Sequence, residues 1–283
     1  MSGPLLGIPN VSEGRDAAAL DAVGAAFSAD GARLLDVHAD PDHHRAVFTL
    51  AAEQGALAQA LLAGARETVA RVDVTAERGV HPHVGALDVA PVVHLDAARR
   101  GAACAEALTL AELLARELEL PVYLYGSLAR GRTRAELRAG GAPALVERLA
   151  PDFGPRRVHP TAGATLVAAR PPLIAFNLEL APPATLEDAR RVAALVRERG
   201  EEGVPGVRAI GLALDRQGLV QVSANVEDHE RVPLADLVAA VRRHAPVAAC
   251  ELVGLAPAAA FVGWPDDLEC RNRRTVEDAL RAT

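Results

Sequence analysis

The sequence predicts an α+β protein whose two halves share the order of elements β-α-β-β-α-β, which the first half continues with one more helix and strand. Three observations lead to this fold class. Short strand-like stretches alternate with Ala- and Leu-rich helical stretches. Polar turns, such as the one at residues 39–44, join neighbouring strands as hairpins. Pro171 and Pro172 interrupt the chain between the halves. Hairpin and crossover connections together are typical of antiparallel or mixed sheets packed by helices, of the ferredoxin-like kind.

The first half is predicted to cover residues 1–172 and the second half residues 173–283. In the first half, a short strand opens the segment 7–15, and further strands are expected at 31–38, 45–50, 87–93 and 122–126, with helices at 16–27, 54–72 and 97–118. In the second half, strands are expected at 173–180, 207–214, 218–226 and 250–255, with helices at 185–199 and 234–244. Thr185 and Asp188 have the spacing of a loose capping box at the start of a helix.

The stretch 150–165 differs from the rest of the first half. Prolines and glycines alternate there with Arg and His, which excludes a helix or a regular strand. Long ordered loops of this kind are usually functional. We therefore expect this loop to contribute to a binding site.

Composition excludes several classes of protein. The chain has 283 residues, 50% of them hydrophobic and 3% aromatic, with a formal net charge of −7. No long basic run is present, so no nucleic-acid partner is predicted. Cys104, Cys250 and Cys270 are isolated, which indicates neither a disulfide framework nor a cysteine zinc site. No apolar run has the length of a membrane span, and we expect a soluble, cytoplasmic protein without a membrane partner.

The usual catalytic sequence motifs are absent. The chain has no GxxxxGK[ST] or GxGxxG phosphate loop and no GxSxG elbow. Six histidines lie in the first half, but their spacing matches no helical metal motif; they are His38, His43, His44, His81, His83 and His94. We predict no metal, and turn histidines at the rim of a sheet are the alternative to a metal cluster.

His81 stands out because Pro82 and Gly85 follow it just before a predicted strand. Pro82 restricts the backbone of His81 to extended conformations, and Gly85 permits another backbone or a ligand to approach closely. An imidazole held in this way can exchange protons near neutral pH. A surface or hydrogen-bonded histidine without a catalytic role is the alternative that the segment leaves open.

Two groups of arginines are candidates for anion binding. Arg130, Arg132, Arg134 and Arg138 read as one solvated face of a helix. Arg156 and Arg157 lie in the Gly/Pro loop, where anion binding is the more plausible role.

Blocks along nearly the whole chain resemble the formiminotransferase domain of the formiminotransferase-cyclodeaminase family, which includes the glutamate formiminotransferases. The blocks are IPNVSEG at 8–14, LLDV at 34–37 with Arg45, HP at 81–82, GALDV at 85–89, PVYLYG at 121–126, APDFGP at 150–155, GAT at 163–165, LIAFN at 173–177, QVS at 221–223 with Asn225, and ELVGL at 251–255. Each block alone is weak, and their order along the chain makes the resemblance specific.

The resemblance implies two ferredoxin-like subdomains with a folate-binding tunnel between them. It implies transfer of the formimino group from N-formimino-L-glutamate to N5 of tetrahydrofolate in histidine degradation and one-carbon metabolism, with tetrahydrofolate as co-substrate and no metal. His81 matches the family's catalytic histidine. A homodimer is also expected. The substrate- or folate-binding residues expected here are Asn10, Asp40, Arg45, Tyr125 and the loop Gly154, Pro155, Arg156, Arg157, Val158, His159, Pro160, Thr161, Ala162 and Gly163.

The chemistry agrees with the residue types. N5 must lose a proton and the departing glutamate must gain one, which one fixed imidazole can accomplish. Arg45, Arg156 and Arg157 are candidates for binding carboxylates. The chain departs from the mammalian pattern at His38, Asp40, Ser127 and Ala162, so the partner of His81 stays open, with Asp40 and His38 as candidates. A 5-formyltetrahydrofolate–glutamate formyltransferase and a non-catalytic folate-binding protein are the alternatives.

Overall fold

A computed structural model of the chain describes residues 3–76, 82–214 and 217–282. The chain divides into two compact units, Met1–Pro171 and Pro172–Thr283. Both units are mixed α+β structures with one sheet each, packed by helices, which confirms the predicted fold class. Across the described ranges, no helix has the length and apolar character needed to cross a membrane.

The first unit contains seven strands and five α-helices in its described part. They are β1 (Leu5–Gly7), β2 (Asn10–Val11), α1 (Ala17–Phe27), β3 (Arg33–Asp40), β4 (Arg45–Ala52), α2 (Leu57–Arg71), β5 (Leu87–Val93), α3 (Arg100–Leu118), β6 (Val122–Leu124), α4 (Arg134–Arg138), α5 (Gly141–Arg148) and β7 (Thr165–Arg170). If β1 and β2 are taken as one interrupted strand, the order from β1 to β5 is the predicted β-α-β-β-α-β.

The sheet of the first unit has β1 and β2 at its centre. Both pair antiparallel with β4 on one side and with β5 on the other, and β3 pairs with the far edge of β4. Beyond β5, the strands β7 and β6 follow in parallel. Helices α1, α2 and α3 cover an apolar core that includes Phe27, Phe48, Leu61 and Leu110.

Strand β7 was not predicted from the sequence. It begins directly after the Gly/Pro loop, and its residues Thr165–Ala169 are all buried. A parallel strand that is buried on both faces has no alternation of apolar and polar residues, so the pattern that marks other strands is missing here. The strand extends the sheet beyond the order predicted for the first half, which ended with the strand 122–126.

The second unit contains five strands and three α-helices in its described part. They are β8 (Ile174–Leu180), α6 (Leu186–Val196), β9 (Val207–Leu214), β10 (Leu219–Val226), α7 (Leu234–Arg242), β11 (Val247–Val253), β12 (Cys270–Arg271) and α8 (Val276–Arg281). The strand order is β12-β11-β8-β10-β9, with a core that includes Phe176, Leu237 and Leu252. The capping box predicted from Thr185 and Asp188 begins α6, which confirms that prediction.

Candidate active site

A cleft in the first unit is lined by polar residues from three segments of the chain. The lining residues are Asn10, Val11, Ser12, His43, His44, Arg45, His83 and Asp88. The sheet brings these segments together, because β2 pairs with both β4 and β5. Since β2 is antiparallel to both, its end at Val11 lies beside Ala46 at the start of β4 and Leu87 at the start of β5. The turn before β4 and the segment before β5 therefore meet at one end of the sheet.

Two glycines permit the close approach of these segments. A Cβ atom on Gly14 would lie 2.4 Å from the carbonyl oxygen of Asp40. A Cβ atom on Gly85 would lie 2.1 Å from the carbonyl oxygen of Ala164. Neither distance is possible for a real side chain, so only glycine fits at these positions. The hydroxyl of Ser12 donates a hydrogen bond to the carbonyl of Gly85 at 2.7 Å, which joins β2 to the segment before β5.

Asp40 and His43 form a buried pair in the turn between β3 and β4. Asp40 Oδ1 accepts hydrogen bonds from the backbone N–H groups of Asp42 (2.8 Å) and His43 (2.9 Å), and Asp40 Oδ2 lies 2.5 Å from His43 Nδ1. Burial alone would raise the pKa of Asp40. The hydrogen bonds and charge of His43, with the N–H of Asp42, outweigh burial and lower that pKa to about 2. Asp40 is therefore an ionised acceptor, and His43 Nδ1 must carry the hydrogen.

His44 has the opposite hydrogen-bonding role. Its backbone is left-handed, with a φ of 49°, so its side chain contacts different groups from that of His43. The backbone N–H of Gly14 donates to His44 Nδ1 at 3.3 Å, and Glu13 Oε1 lies 3.5 Å from the same nitrogen. In the neutral ring, the hydrogen of His44 is therefore on Nε2. Thus Nδ1 donates a hydrogen bond in His43 and accepts one in His44.

Arg45, Asp88 and Arg138 form the charged part of the site. Arg45 is half-buried, and burial together with the nearby charge of Arg138 lowers its pKa to about 10, with Asp40 and Asp88 acting in the opposite direction. Arg45 remains a cation at neutral pH. Arg138 forms an ion pair with Asp88, whose Oδ1 also accepts from the N–H of Val84 at 2.8 Å. The prediction that Arg138 belongs to a solvated helix face is wrong, because its side chain is only 13% exposed in this pair.

Asn10 and Tyr125 are two further residues that the sequence placed in the binding site. Asn10 lines the cleft and donates from Nδ2 to the carbonyl of Ile8 at 3.2 Å. Tyr125 follows β6 and is buried in an apolar cluster with Val84 and Ala164. Its hydroxyl is buried and has no hydrogen-bond partner among the described residues. Buried polar groups are normally paired, so the Tyr125 hydroxyl is a candidate for bonding to a ligand.

The end of the loop 154–163 packs against the segment that follows His81 in the sequence. Gly163 and Gly85 form an isolated β-bridge, and the N–H of Ala86 donates to the carbonyl of Ala162 at 2.9 Å. Gly163 has a φ of 71°, and a Cβ atom there would lie 2.3 Å from the carbonyl oxygen of Val84. The structure therefore brings this end of the predicted folate loop beside the cleft.

The first part of the loop contacts other elements. Gly154 lies against the carbonyl of Leu120, and Pro155 and Pro160 are loop residues without a side-chain hydrogen-bonding group. Arg156 donates to the carbonyl of Glu147 at 3.1 Å, and Arg157 forms an ion pair with Glu119 in which both side chains are about two-thirds exposed. Val158 packs against the same apolar cluster as Tyr125. The two loop arginines therefore do not join Arg45 in lining the cleft.

His159 holds the loop together internally. Its backbone N–H and carbonyl bond to Gly163, and its Nδ1 accepts from the N–H groups of Thr161 (3.4 Å) and Ala162 (3.0 Å). Burial lowers the pKa of His159; Glu119 opposes the shift and Arg157 adds to it. A neutral ring with an acceptor at Nδ1 is what the loop geometry requires. His159 is thus occupied in shaping the loop.

His81, the residue predicted to be catalytic, lies outside the described residues. Its chain neighbour His83 lines the cleft. Within residues 3–76, 82–214 and 217–282, no group of three or more His, Cys, Asp or Glu side chains could hold a metal ion. Sequence reasoning assigned no role to His43, His44, His83, Ser12 or Asp88. The Asp-x-x-His spacing of Asp40 and His43 in a tight turn is the signal that could have indicated one of these contacts.

Comparisons with known proteins agree over most of the chain. Residues 5–170 match the family model described as formiminotransferase domain, N-terminal subdomain, and residues 175–271 match the one described as formiminotransferase domain. A glutamate formimidoyltransferase of Streptococcus pyogenes serotype M1 is 35% identical over 269 residues, which are 90% of this chain and 89% of the relative. A glutamate formimidoyltransferase of Thermoplasma acidophilum is 32% identical, over 90% of this chain and 88% of the relative.

Longer relatives match as well. The formimidoyltransferase-cyclodeaminase of Rattus norvegicus is 38% identical over 274 residues, which are 90% of this chain and 50% of the relative. The chain therefore spans about half the length of these relatives. Among solved structures, pitrilysin is similar with a TM-score of 0.23 and 11% identity, over 86% of this chain and 34% of that chain. A likeness this weak carries no argument.

Proposed function

Since the chain belongs to the formiminotransferase family, we propose that it transfers the formimino group of N-formimino-L-glutamate to N5 of tetrahydrofolate. The observation that carries this proposal is the cleft that joins His43, Arg45 and His83 at the start of β4 and β5. His83 is two residues from His81 in the sequence, so the cleft lies on the segment that the resemblance marks as catalytic. The catalytic histidine then belongs to the N-terminal subdomain, residues 1–172, and residues 173–283 form the C-terminal subdomain.

The reaction requires two proton movements and one exchange of bonds. N5 of tetrahydrofolate attacks the formimino carbon and forms a C–N bond, and N5 loses its proton. The tetrahedral adduct then breaks its bond to the glutamate nitrogen, which takes up a proton as glutamate leaves. We assign His81 as the general acid/base of this exchange. Acid/base catalysis of this type typically contributes about 10²- to 10⁴-fold to the rate.

The charges of the cleft fit an anionic substrate. Arg45 is a cation beside the ionised Asp40 and near the Asp88–Arg138 pair, and its guanidinium is suited to binding a carboxylate. Both substrates carry carboxylates, on the glutamate and on the tail of the folate. We assign Arg45 to one of these carboxylates and Asn10 to a polar contact in the same cleft.

The folate is expected beside the loop residues that pack near the cleft. Ala162 and Gly163 adjoin the segment after His81, and Thr161 precedes them in the loop. Tyr125, near the same segment, contributes a buried hydroxyl that has no partner among the described residues. The earlier loop residues, from Gly154 to Pro160, belong to the proposed folate-binding stretch, where we assign them to positioning its end beside the cleft. Tetrahydrofolate is a co-substrate in this proposal, and no metal takes part.

The test is a transfer assay with purified protein. N-formimino-L-glutamate and tetrahydrofolate are supplied together, and release of glutamate is measured alongside formation of the formimino-folate. We expect turnover by the wild type and a loss of at least about 100-fold in kcat for His81→Ala. If the protein moves only a formyl group, from 5-formyltetrahydrofolate to glutamate, then 5-formyltetrahydrofolate is the donor and the formimino reaction is wrong. Folate binding without movement of either group would reject the enzyme and favour a folate-binding protein.

We further propose a cytoplasmic homodimer that acts in histidine degradation and one-carbon metabolism. The edge strands β3 and β9 each pair on one side only within the described sheets, which offers a route to association. Ile210 on β9 is 49% exposed, although it is a large apolar residue. Sedimentation of the purified protein tests this: a monomer at assay concentration would contradict it.

A further inference from the structure

We propose that Cys250 and Cys270, in the second unit, form a disulfide bond when the protein is exposed to a hydroperoxide. The bond locks the last strand and helix of the chain to the edge of the sheet. The two cysteines are isolated in the sequence, and only the pairing of β11 with β12 brings them together. The inference concerns a site outside the cleft and does not depend on the proposed transfer reaction.

The two cysteines lie side by side on neighbouring strands. Strands β11 and β12 run parallel, and Cys250 is the Cα partner of Cys270. The backbone N–H of Cys250 donates to the carbonyl of Glu269 at 2.9 Å, which holds the strands in this register. Neighbouring strands are about 4.7–4.9 Å apart, and the Cα atoms of bonded cysteines are usually about 4.4–6.8 Å apart. The spacing of the two backbones therefore fits a disulfide bond.

Both thiols are on the same face of the sheet. Cys250 belongs to the apolar core of the second unit, and Cys270 packs against that same core. Arg271, which follows Cys270, instead forms an ion pair with Glu179. Side chains alternate between the two faces of a strand, so this ion pair lies on the face opposite the thiols. The two sulfur atoms therefore approach each other inside one layer of packing.

The surroundings of the pair determine how the oxidation begins. Cys250 is fully buried, whereas Cys270 is partly exposed, so an oxidant in solution meets Cys270 first. Burial raises the pKa of both thiols, that of Cys270 to about 11. Both residues are therefore thiols at neutral pH, and their oxidation is slow there, because the thiolate is the nucleophile. The charged groups that face the pair are Glu179, Arg242, Glu251, Arg271 and Arg273.

The oxidation is balanced by one molecule of hydroperoxide. Cys270 loses its proton, and its sulfur attacks one oxygen of hydrogen peroxide; the O–O bond breaks, and the other oxygen leaves as water with that proton. The sulfur of Cys250 then loses its proton and attacks the sulfenic acid on Cys270. The S–S bond forms, the S–O bond breaks, and a second water leaves. The two sulfurs lose two electrons together, and the peroxide is reduced to two waters.

The bond would act on a part of the fold that has few other attachments. Strand β12 is only two residues long and pairs only with β11 among the described strands, and α8 follows it. An isolated bridge between Ala256 and Thr275 is a further attachment of this segment. A disulfide would close residues 251–269 into a loop, which restricts the unfolded chain and stabilises the folded one. The oxidised protein should therefore be the more stable form.

A structural zinc ion is the other ligand that two neighbouring thiols suggest. Such a site takes four ligands, and no group of three or more His, Cys, Asp or Glu side chains in the described ranges could hold a metal ion. The third cysteine, Cys104, packs against the core of the first unit, where it serves as an internal control.

The test is a count of free thiols in the unfolded protein before and after treatment with hydrogen peroxide. We expect the three free cysteines of the reduced protein to become one. Trypsin cleaves after Arg243 and Arg271, so both cysteines lie in the single peptide 244–271. This peptide should lose two hydrogens, about 2 Da, as the bond forms. Between about pH 7 and about pH 9, the initial rate should rise about tenfold per pH unit, as the thiolate fraction of Cys270 does.

Two variants show which thiols take part. Cys104→Ser is the matched control, and its peptide 244–271 should lose the two hydrogens as in the wild type. Cys270→Ser should show no such loss. After the same treatment, the thermal midpoint of the wild type should rise by at least about 3 °C, and that of Cys270→Ser should not rise.

Three results would overturn the inference. One is a wild type that keeps all three thiols after treatment at pH 9, and another is a bond that includes Cys104. The third is an oxidised wild type with a lower thermal midpoint than the reduced one, which would show that the bond strains the sheet edge. The transfer assay, whatever its outcome, does not change how these results are read.

Discussion

The cleft and the loop 154–163 are joined through Gly85 and Gly163, yet they use their polar side chains in different ways. In the loop, His159 bonds to its own backbone neighbours, and Arg157 pairs with Glu119 at the surface. In the cleft, Asp40 orients another side chain, His43, which is one of the lining residues. His159 and Arg157 therefore stabilise the loop, whereas Asp40 fixes the orientation of a side chain that lines the cleft.

Gly85→Ala would break the contact between the two regions, and we expect the largest effect from it. The added Cβ would meet backbone oxygens of Ala162 and Ala164 at 2.4 and 2.1 Å, which only a backbone shift can relieve. The free energy of unfolding should fall by about 3 kcal/mol, as measured in denaturant. Gly101→Ala in α3, where a Cβ would meet nothing within 4 Å, should be neutral or slightly stabilising. Equal effects in the two variants would contradict the packing argument.

Substitutions of Arg45 and Arg157 would show whether substrate carboxylates bind in the cleft or at the loop. Arg45→Leu removes the cation that lines the cleft, and we expect KM for one of the two substrates to rise roughly 10- to 100-fold, as for a lost charged hydrogen bond. Arg157→Leu removes a cation that is 66% exposed and paired with Glu119, and KM should change less than about twofold. Steady-state kinetics with each substrate varied in turn measures both. A larger effect for Arg157 would move the carboxylate site to the loop.

The free energy of unfolding at acid pH tests whether the charge of Asp40 stabilises the protein. Its pKa is about 2 in the folded protein, below the ordinary value of 3.8, so the pair with His43 stabilises the fold above pH 4. As the pH falls from about 4 to 2, the carboxylate becomes protonated and this contribution of about 2 kcal/mol is lost. The difference in unfolding free energy between the wild type and Asp40→Asn should therefore shrink over that window. A difference that is constant from pH 5 to pH 2 would show that the charge of Asp40 contributes nothing.

Tyr125→Phe should have the smallest effect on the free protein. The buried hydroxyl has no hydrogen-bond partner in the described part of the chain, so its removal should leave the thermal midpoint unchanged or slightly higher. If the folate supplies the missing partner, Tyr125→Phe raises KM for tetrahydrofolate several-fold. A clear loss of stability without ligand would mean that the protein itself satisfies this hydroxyl.

The sequence predicts those helices and strands whose apolar residues recur with a clear period. The amphipathic helices, the β3–β4 hairpin and the capping box at Thr185 follow from local patterns. Strand β7 was missed because a strand buried on both faces has no alternation, and α4 and α5 are too short for a helical period to stand out. Local patterns therefore predicted most of the fold, including β6, and left β7, the strand between β5 and β6, undetected.

The site was only partly predictable from the sequence. Asn10 and Arg45 were named in advance and line the cleft. The contact of Asp40 with His43 depends on how a four-residue turn closes, and the different role of His44 depends on its left-handed backbone. The Arg138–Asp88 pair joins residues that are 50 positions apart in the sequence, and only the fold reveals it.

The central claim is the proposal that His81 is the general acid/base of formimino transfer, and the pH dependence of kcat tests it most directly. The kcat of formimino transfer is measured for the wild type and for His81→Ala between about pH 5 and about pH 9. We predict that His81→Ala loses at least about 100-fold in kcat and that the shape of its pH profile changes, because the group that moves the protons is gone. A variant that keeps more than half of the wild-type kcat at every pH would contradict the claim.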